Sequence, residues 1–320
     1  MPSRPRFTAV LQSPVFAAHD SRRHPENQVR LTVTERYLED EGLLSGRPRV
    51  DFGGAPLSVV EAIHHPLYLE QLDRIAQGGG GWLDADTYVG ADSYDVALVS
   101  AGAVVAGVDA VLDGVAGHAF ALVRPPGHHA TPERGMGFCL LNNVAIGAAR
   151  ALERGVLRVA VVDWDVHHGN GTQDAFYASG QVLFCSVHQS PFYPGSGDSG
   201  ERGEGAGLGY TINAALPAGQ TDDDYLAVFD ELFVPALKSF EPELILVSAG
   251  YDAHLEDPLG GMCLTERGYA GITSRLLTVA HHSAGGKLVA VLEGGYEPGA
   301  LARSVAATIR TLDGEESSAL

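Results

Sequence analysis

The sequence is poor in cysteine and in positive charge, and it holds no long uncharged apolar run. Its three cysteines, Cys139, Cys185 and Cys263, are odd in number and widely spaced, which argues against a disulfide framework. Against 40 acidic residues stand only 21 lysines and arginines, a net charge of −19. That balance disfavours contact with a nucleic-acid backbone. It favours the approach of cationic ligands such as lysine-rich tails or polyamines, with solubility as the plainer use of the same charge. No segment is long and uncharged enough to span a bilayer; the best, 101–123, is broken by Asp109, Asp113 and His118. The first thirty residues lack an apolar core before a small-residue cleavage site and carry Arg4, Arg6, Asp20, Arg22, Arg23 and Glu26, so no secretory signal is expected. Repeats, low-complexity tracts and long linkers are also absent. The expectation is one domain over 1–320, cytoplasmic, without a membrane or nucleic-acid partner, and with a homo-oligomer left open.

What the chain does have is an α/β rhythm. Apolar runs over 120–123, 159–162, 182–187, 244–247 and 288–292 read as buried strands. Between and after them the spacing predicts helices over 142–153, 172–177, 222–238, 265–282 and 298–312, with Pro235 expected to kink or shorten the third. This alternation predicts one open, mostly parallel, doubly wound sheet with helices on both faces. Every unusual polar cluster follows one of those strands, and ligand sites in open α/β sheets form beyond the strands' carboxyl ends. Five clusters arriving on one edge are expected to build a single site.

The richest cluster is Asp163-Trp164-Asp165-Val166-His167-His168-Gly169-Asn170-Gly171. Asp165 and His167 are two apart, so on an extended backbone they point to the same side. A carboxylate and an imidazole converging in a cysteine-poor chain suit a divalent metal such as zinc. A catalytic zinc takes three protein ligands, and on spacing alone either Asp252 or His254 qualifies as the third. The tandem His128-His129, after the turn Pro125-Pro126-Gly127, offers a general base and acid with an electrostatic assistant. The pairs His64-His65 and His281-His282 read instead as surface histidines. Tyr296, after Glu293-Gly294-Gly295, could donate to a tetrahedral oxyanion.

With these residues in place the chain resembles the histone deacetylase and acetylpolyamine amidohydrolase superfamily, especially the class II histone deacetylases and the bacterial histone deacetylase-like amidohydrolases. The resemblance runs from His24-Pro25-Glu26 through LDADT (from Leu83), RPPGHHA (from Arg124), GFCLLNN (from Gly137), DWDVHHGNGTQ (from Asp163), SAGYDAH (from Ser248) and DPLGG (from Asp257) to LEGGY (from Leu292). It implies an arginase-like open α/β fold over a single catalytic domain and a metal held by Asp165, His167 and Asp252, taking Asp252 over His254. Zn²⁺ is the ion it implies, with Fe²⁺ or Co²⁺ able to occupy the same ligands. It further implies His129 as general base and acid, His128 assisting and oriented by Asp163, and Tyr296 on the scissile carbonyl. Gly137 would accept the substrate amide N–H, and Phe138 and Tyr193 would wall a narrow tunnel for an acyl-lysine side chain. Structural K⁺ is implied at Asp163, Asp165, His167, Ser186 and Val187, and again at Phe176, Ser179, Val182 and Tyr210.

Two positions depart from some members. Asn170 stands where class I enzymes place an aspartate, which leaves His129 less basic. Leu259 stands where the polyamine-selective member has a glutamate, which removes a carboxylate that would recognise a charged polyamine. The expected activity is therefore metal-dependent hydrolysis of acetyl or short acyl lysine side chains, in a protein or peptide. The alternative is deacetylation of polyamines or other cationic small amides. A ureohydrolase would need a second metal and more ligands, and an inactive binding relative would lack some part of a set that is complete in this chain.

Overall fold

Inner strands of a parallel sheet are covered on both faces, so they read as unbroken apolar runs. The five runs found in the sequence are indeed the five inner strands of one seven-stranded sheet in the computed structural model, which describes residues 7–20 and 23–315. Arg4, Arg6 and Arg22 of the N-terminal stretch lie outside the described residues. The strands are β1 (Ala9–Leu11), β2 (Gly81–Trp82), β3 (Tyr88–Val89), β4 (His118–Ala121), β5 (Val159–Asp163), β6 (Val182–Gln189), β7 (Thr211–Leu216), β8 (Leu244–Ala249) and β9 (Leu288–Leu292). The sheet order is β1-β4-β9-β8-β5-β6-β7, with every adjacent pair parallel, and β2 and β3 form a separate antiparallel hairpin. All residues of β5, β6, β8 and β9 are buried.

The helices are α1 (Val29–Asp40), α2 (Leu57–Val60), α3 (Pro66–Gln77), α4 (Ser93–Leu112), α5 (Asn143–Glu153), α6 (Asn170–Phe176), α7 (Asp222–Val228), α8 (Val234–Phe240), α9 (Glu266–Ser283) and α10 (Pro298–Leu312). One layer is built on α4 and α5, the other on α1, α7, α8, α9 and α10, and the sheet lies between. The predicted helix over 222–238 is present, but a wide π turn, Phe229–Phe233, joins α7 to α8 just before Pro235. Proline has no N–H to donate back along the helix, and the wider turn accommodates that without ending it.

Three expectations need correction. The strand predicted over 120–123 is His118–Ala121, two residues earlier. Residues 122 and 123 stay buried because the chain passes straight from the ladder into the site, Leu122 N donating to Leu11 O. The apolar segment is not 101–123 but α4, Ser93–Leu112, which by length and composition could cross a membrane. It is 67% buried against the sheet and its neighbours. His64 is fully buried, while His65 is exposed and caps α3.

Candidate active site

Because the inner strands are parallel, their carboxyl ends open on one edge, and the polar clusters meet there. At the end of β5, Asp163 Oδ2 lies 2.9 Å from His128 Nδ1, and its Oδ1 accepts from Asp165 N at 3.1 Å. Asp165 Oδ1 accepts from His167 N at 2.9 Å and its Oδ2 from Gly294 N at 2.8 Å. Asp252, beyond β8, accepts from Val166 N through Oδ1 at 2.9 Å. The side chains converge: His167 Nδ1 lies 3.1 Å from Asp165 Oδ1 and 3.1 Å from Asp252 Oδ2. Donor atoms of all three residues fall within 4.8 Å of one another. A side chain at position 294 would overlap both carboxylates, with its Cβ 2.2 Å from Asp252 Oδ2 and 2.5 Å from Asp165 Oδ2, so the close approach requires glycine.

His254 is turned elsewhere. Its Nδ1 accepts from Glu256 N at 3.1 Å, and its Nε2 lies 3.6 Å from Glu266. The two carboxylates are buried and the imidazole partly exposed, so the trio faces an opening. Burial, reinforced by Asp165, pushes the Asp252 carboxyl up to about 7. Burial would also raise Asp165, but the cations of His128 and His167 overcome it and hold that carboxyl well below the usual range. Burial disfavours charge on His167, yet its bonds to Asp165 and Asp252 carry it up to about 10. Two carboxylates thus share one proton-bearing nitrogen, a donor set that fits a divalent cation replacing that proton. Donor atoms of His128, Cys139 and Glu293 also come together. There, burial keeps the thiol protonated, and Glu293 is taken up by backbone N–H groups.

His128 and His129 pack with ring centroids 4.0 Å apart. Burial works against charge on both. For His128 the nearby Asp163, Asp165 and Glu293 reverse it and raise the pKa well above 6.5; for His129 the cations of His128 and His167 add to it and push the pKa well below. His129 Nδ1 donates to Asn170 Oδ1 at 2.8 Å, which leaves Nε2 with a lone pair. Gly137 and Phe138 both take positive φ, 56° and 69°, and a Cβ at 137 would sit 2.4 Å from the His129 ring. Phe138 lies edge-on to His24 at 4.4 Å and to Tyr296 at 5.7 Å, while Tyr193 lies edge-on to His129 at 5.2 Å. Leu259 is half-buried and donates its N–H to Asp257.

Sequence reasoning missed several contributors. Phe192 stacks on His167 at 5.2 Å; only its place after an inner strand signalled it. Arg30 is buried, with its guanidinium 4.9 Å above the Tyr296 ring, and it donates to the carbonyls of Gly295 and Glu293. Glu26, spaced i,i+4 from Arg30, pairs with it and with Arg124. Glu293, read only as part of a glycine turn, accepts from Gly127 N at 2.6 Å and His128 N at 3.1 Å. Of the residues expected at potassium, Asp163 and Ser186 are paired across β5 and β6, next to Val187, with Asp165 and His167 just beyond. In the second set Ser179 N donates to Phe176 O and Phe184 N to Tyr210 O, beside Val182 at the start of β6.

The family model for the histone deacetylase domain matches residues 24–312. The chain belongs to the histone deacetylase family. It is 41% identical over 317 residues to a protein of Archaeoglobus fulgidus named probable deacetylase, covering 98% of this chain and 88% of that one. It is 39% identical over 312 residues to the histone deacetylase-like amidohydrolase of Pseudomonas aeruginosa, covering 96% and 80%. A solved crystal structure, the HDA15 HD domain, superposes with a TM-score of 0.93 at 34% identity over 98% of this chain and 89% of that one. As a member of the histone deacetylase family the protein is an amide-bond hydrolase with a single open α/β sheet.

Proposed function

We propose that the protein hydrolyses the amide of N-acetyl or short N-acyl lysine side chains, with a divalent metal, Zn²⁺ in the first place, held by Asp165, His167 and Asp252. The observation that carries this reading is the convergence of His167 Nδ1 on both carboxylates, 3.1 Å from each, beside a neutral imidazole. When bound, the ion supplies polarisation of the amide carbonyl and a more acidic water. His129 Nε2 takes the proton from the attacking water and returns it to the lysine nitrogen. Overall the C–N bond breaks, a C–O bond to the water oxygen forms, and a carboxylate and the lysine ammonium leave, both protons of the water ending on the lysine nitrogen. His128, kept cationic by Asp163, Asp165 and Glu293, favours the negative charge that develops. The Tyr296 hydroxyl, held protonated by burial, donates to the carbonyl oxygen.

The Gly137 carbonyl accepts the substrate N–H, while Phe138 and Tyr193 flank an aliphatic stem. Leu259 at the rim offers no carboxylate to a polyamine. A hollow of about 660 Å³ beside the mouth, lined by His24, Trp82, Tyr88 and Asp92 among others, leaves room for residues flanking the acyl-lysine. The two potassium sets would serve as structural sites behind the strands. Three free cysteines, two of them buried, fit a reducing, cytoplasmic setting.

The test is turnover of an acetyl-lysine peptide and an N-acetylated polyamine in parallel, with metal content measured. Peptide turnover lost on chelation and restored by Zn²⁺ supports the reading; turnover of the polyamine alone overturns it. His129→Ala should lower kcat by about a thousandfold with metal retained, whereas Asp252→Ala should lose metal as well. Near-full activity in either variant contradicts these roles.

A further inference from the structure

Asp257 is a buried carboxylate five residues beyond Asp252, with 7% of its surface exposed. Both of its oxygens are spent on backbone N–H groups. Oδ2 accepts from Tyr296 N at 2.6 Å and from Glu297 N at 3.2 Å, and Oδ1 accepts from Leu259 N at 2.9 Å. One side chain therefore ties the turn after Asp252 to the turn that carries the candidate catalytic tyrosine.

That second turn needs such a tie. It contains Gly294-Gly295, with Gly295 at φ 120°, so its backbone has little conformational preference of its own. Its other anchors act upstream of the tyrosine: Tyr251 N holds Gly294 O at 3.0 Å, and Arg30 holds the carbonyls of Glu293 and Gly295. Arg30 and Phe138 pack against the Tyr296 ring and set its plane. The tyrosine's own N–H, and so its Cα, is held by Asp257. Hydrogen bonds to a charged acceptor are the stronger kind, and a buried one is costly to disturb.

We propose that Asp257 is a positioning residue for Tyr296, setting the reach of its hydroxyl to the scissile carbonyl and coupling that reach to the Leu259 turn. The proposal rests on the reading of Tyr296 as the donor to that carbonyl. It predicts a loss specific to substrates that need the phenol. Asp257→Asn, which sets an NH₂ group against one or more backbone N–H donors, should lower kcat on an acetyl-lysine peptide about 10- to 100-fold with little change in KM. Metal content should be unchanged. On the matching trifluoroacetyl-lysine peptide, whose carbonyl is already electron-poor, the loss should be within about threefold.

Tyr296→Phe should show the same pattern, and adding Asp257→Asn to it should cost little more, because the two act through one contact. Equal proportional losses on the two peptides overturn the proposal, as does a double variant whose losses multiply. If Asp257→Asn loses metal or fails to fold, Asp257→Glu, which keeps the charge but displaces it, is scored on the same two ratios. Wild-type protein inactive on the peptide but active on an N-acetylated diamine would overturn the substrate reading alone. The acetyl-against-trifluoroacetyl comparison on that diamine would then decide the role of Asp257.

Discussion

His128 and His129 are neighbours in sequence whose surroundings drive them to opposite protonation states. Burial and the cations of His128 and His167 decide the second of these, and Asn170, whose amide oxygen accepts from His129 Nδ1, brings no charge to oppose them. Asn170→Asp would place a carboxylate there and favour the imidazolium. The base must be neutral to act, so its pKa sets the acid limb of the pH–rate profile. That limb should move to higher pH by about one unit or more, and an unmoved limb would remove His129 from the role of base. His64 makes a separate prediction about stability. Its Nδ1 donates to Thr131 O at 3.0 Å, and its Nε2 accepts from Asn142 N at 2.8 Å, so the ring must be neutral. Burial pushes its pKa down to about 4. The unfolded chain therefore binds more protons between about pH 6.5 and 4, and stability is lost as pH falls through that window, by roughly 3 kcal/mol in full. His188 and His168, also pushed down by burial, act in the same direction. His64→Gln can make both bonds without titrating. It should be less stable near pH 8 but lose less on acidification, as read from denaturant midpoints. The sequence showed only a His-His pair; nothing local says that one member lies over a strand-to-helix turn and the other faces water.

Among the elements, α4 shows why local preference does not decide stability. Alanine is a better helix former than glycine by about 1 kcal/mol, yet Gly102 lies under the 53–55 turn, where Ala55 N donates to Leu98 O at 2.8 Å. A Cβ at 102 would stand 1.8 Å from Gly53 O, a backbone atom that cannot swing aside. Gly102→Ala should therefore lower stability, by about 1–3 kcal/mol net, and a raised denaturant midpoint would show that the turn yields freely. The same contrast between local signal and tertiary setting explains what was legible. The five inner strands could be read because burial on both faces makes them uniformly apolar, and the order of polar clusters after them placed the site. The edge strands could not: β1 has three residues, and β7 mixes buried and half-buried positions without regular alternation. Before β4, α1 carries its polar and apolar residues in no strong stripe and α4 is apolar nearly all round, whereas α3 does bury a regular stripe of Tyr68, Leu69, Leu72 and Ala76. The candidate metal trio rests on residue type, with Asp252 taken over His254 on the resemblance. The backbone leaving β8 brings the first beside Asp165 and His167 and turns the second toward Glu266.

At the scale of the whole molecule the net charge of −19 acts on encounter, before any chemistry. Part of it stands beside the candidate site. Asp84 and Asp86 are exposed on the turn between β2 and β3, which is tied to the candidate site through His24 Nε2 to Asp86 O at 2.9 Å and Phe138 N to Thr87 Oγ1 at 3.2 Å. Burial and the neighbouring Asp84 raise the Asp86 carboxyl, while hydrogen bonds from Thr87 and Asp86 overcome burial and hold Asp84 below its ordinary value, so the turn keeps negative charge at Asp84. A field of this kind is screened by salt, with a reach of about 10 Å at 0.1 M and about 3 Å at 1 M. For an acetyl-lysine peptide with cationic flanks, kcat/KM should fall about tenfold across that range, while kcat changes little. A peptide with neutral flanks should hold its kcat/KM, which separates screening from any effect of salt on the metal or the fold. Asp84→Asn with Asp86→Asn should flatten the salt dependence for the cationic peptide and leave the neutral one untouched. If both peptides respond alike to salt, the acidity serves solubility, and the discrimination among substrates lies wholly within the candidate site.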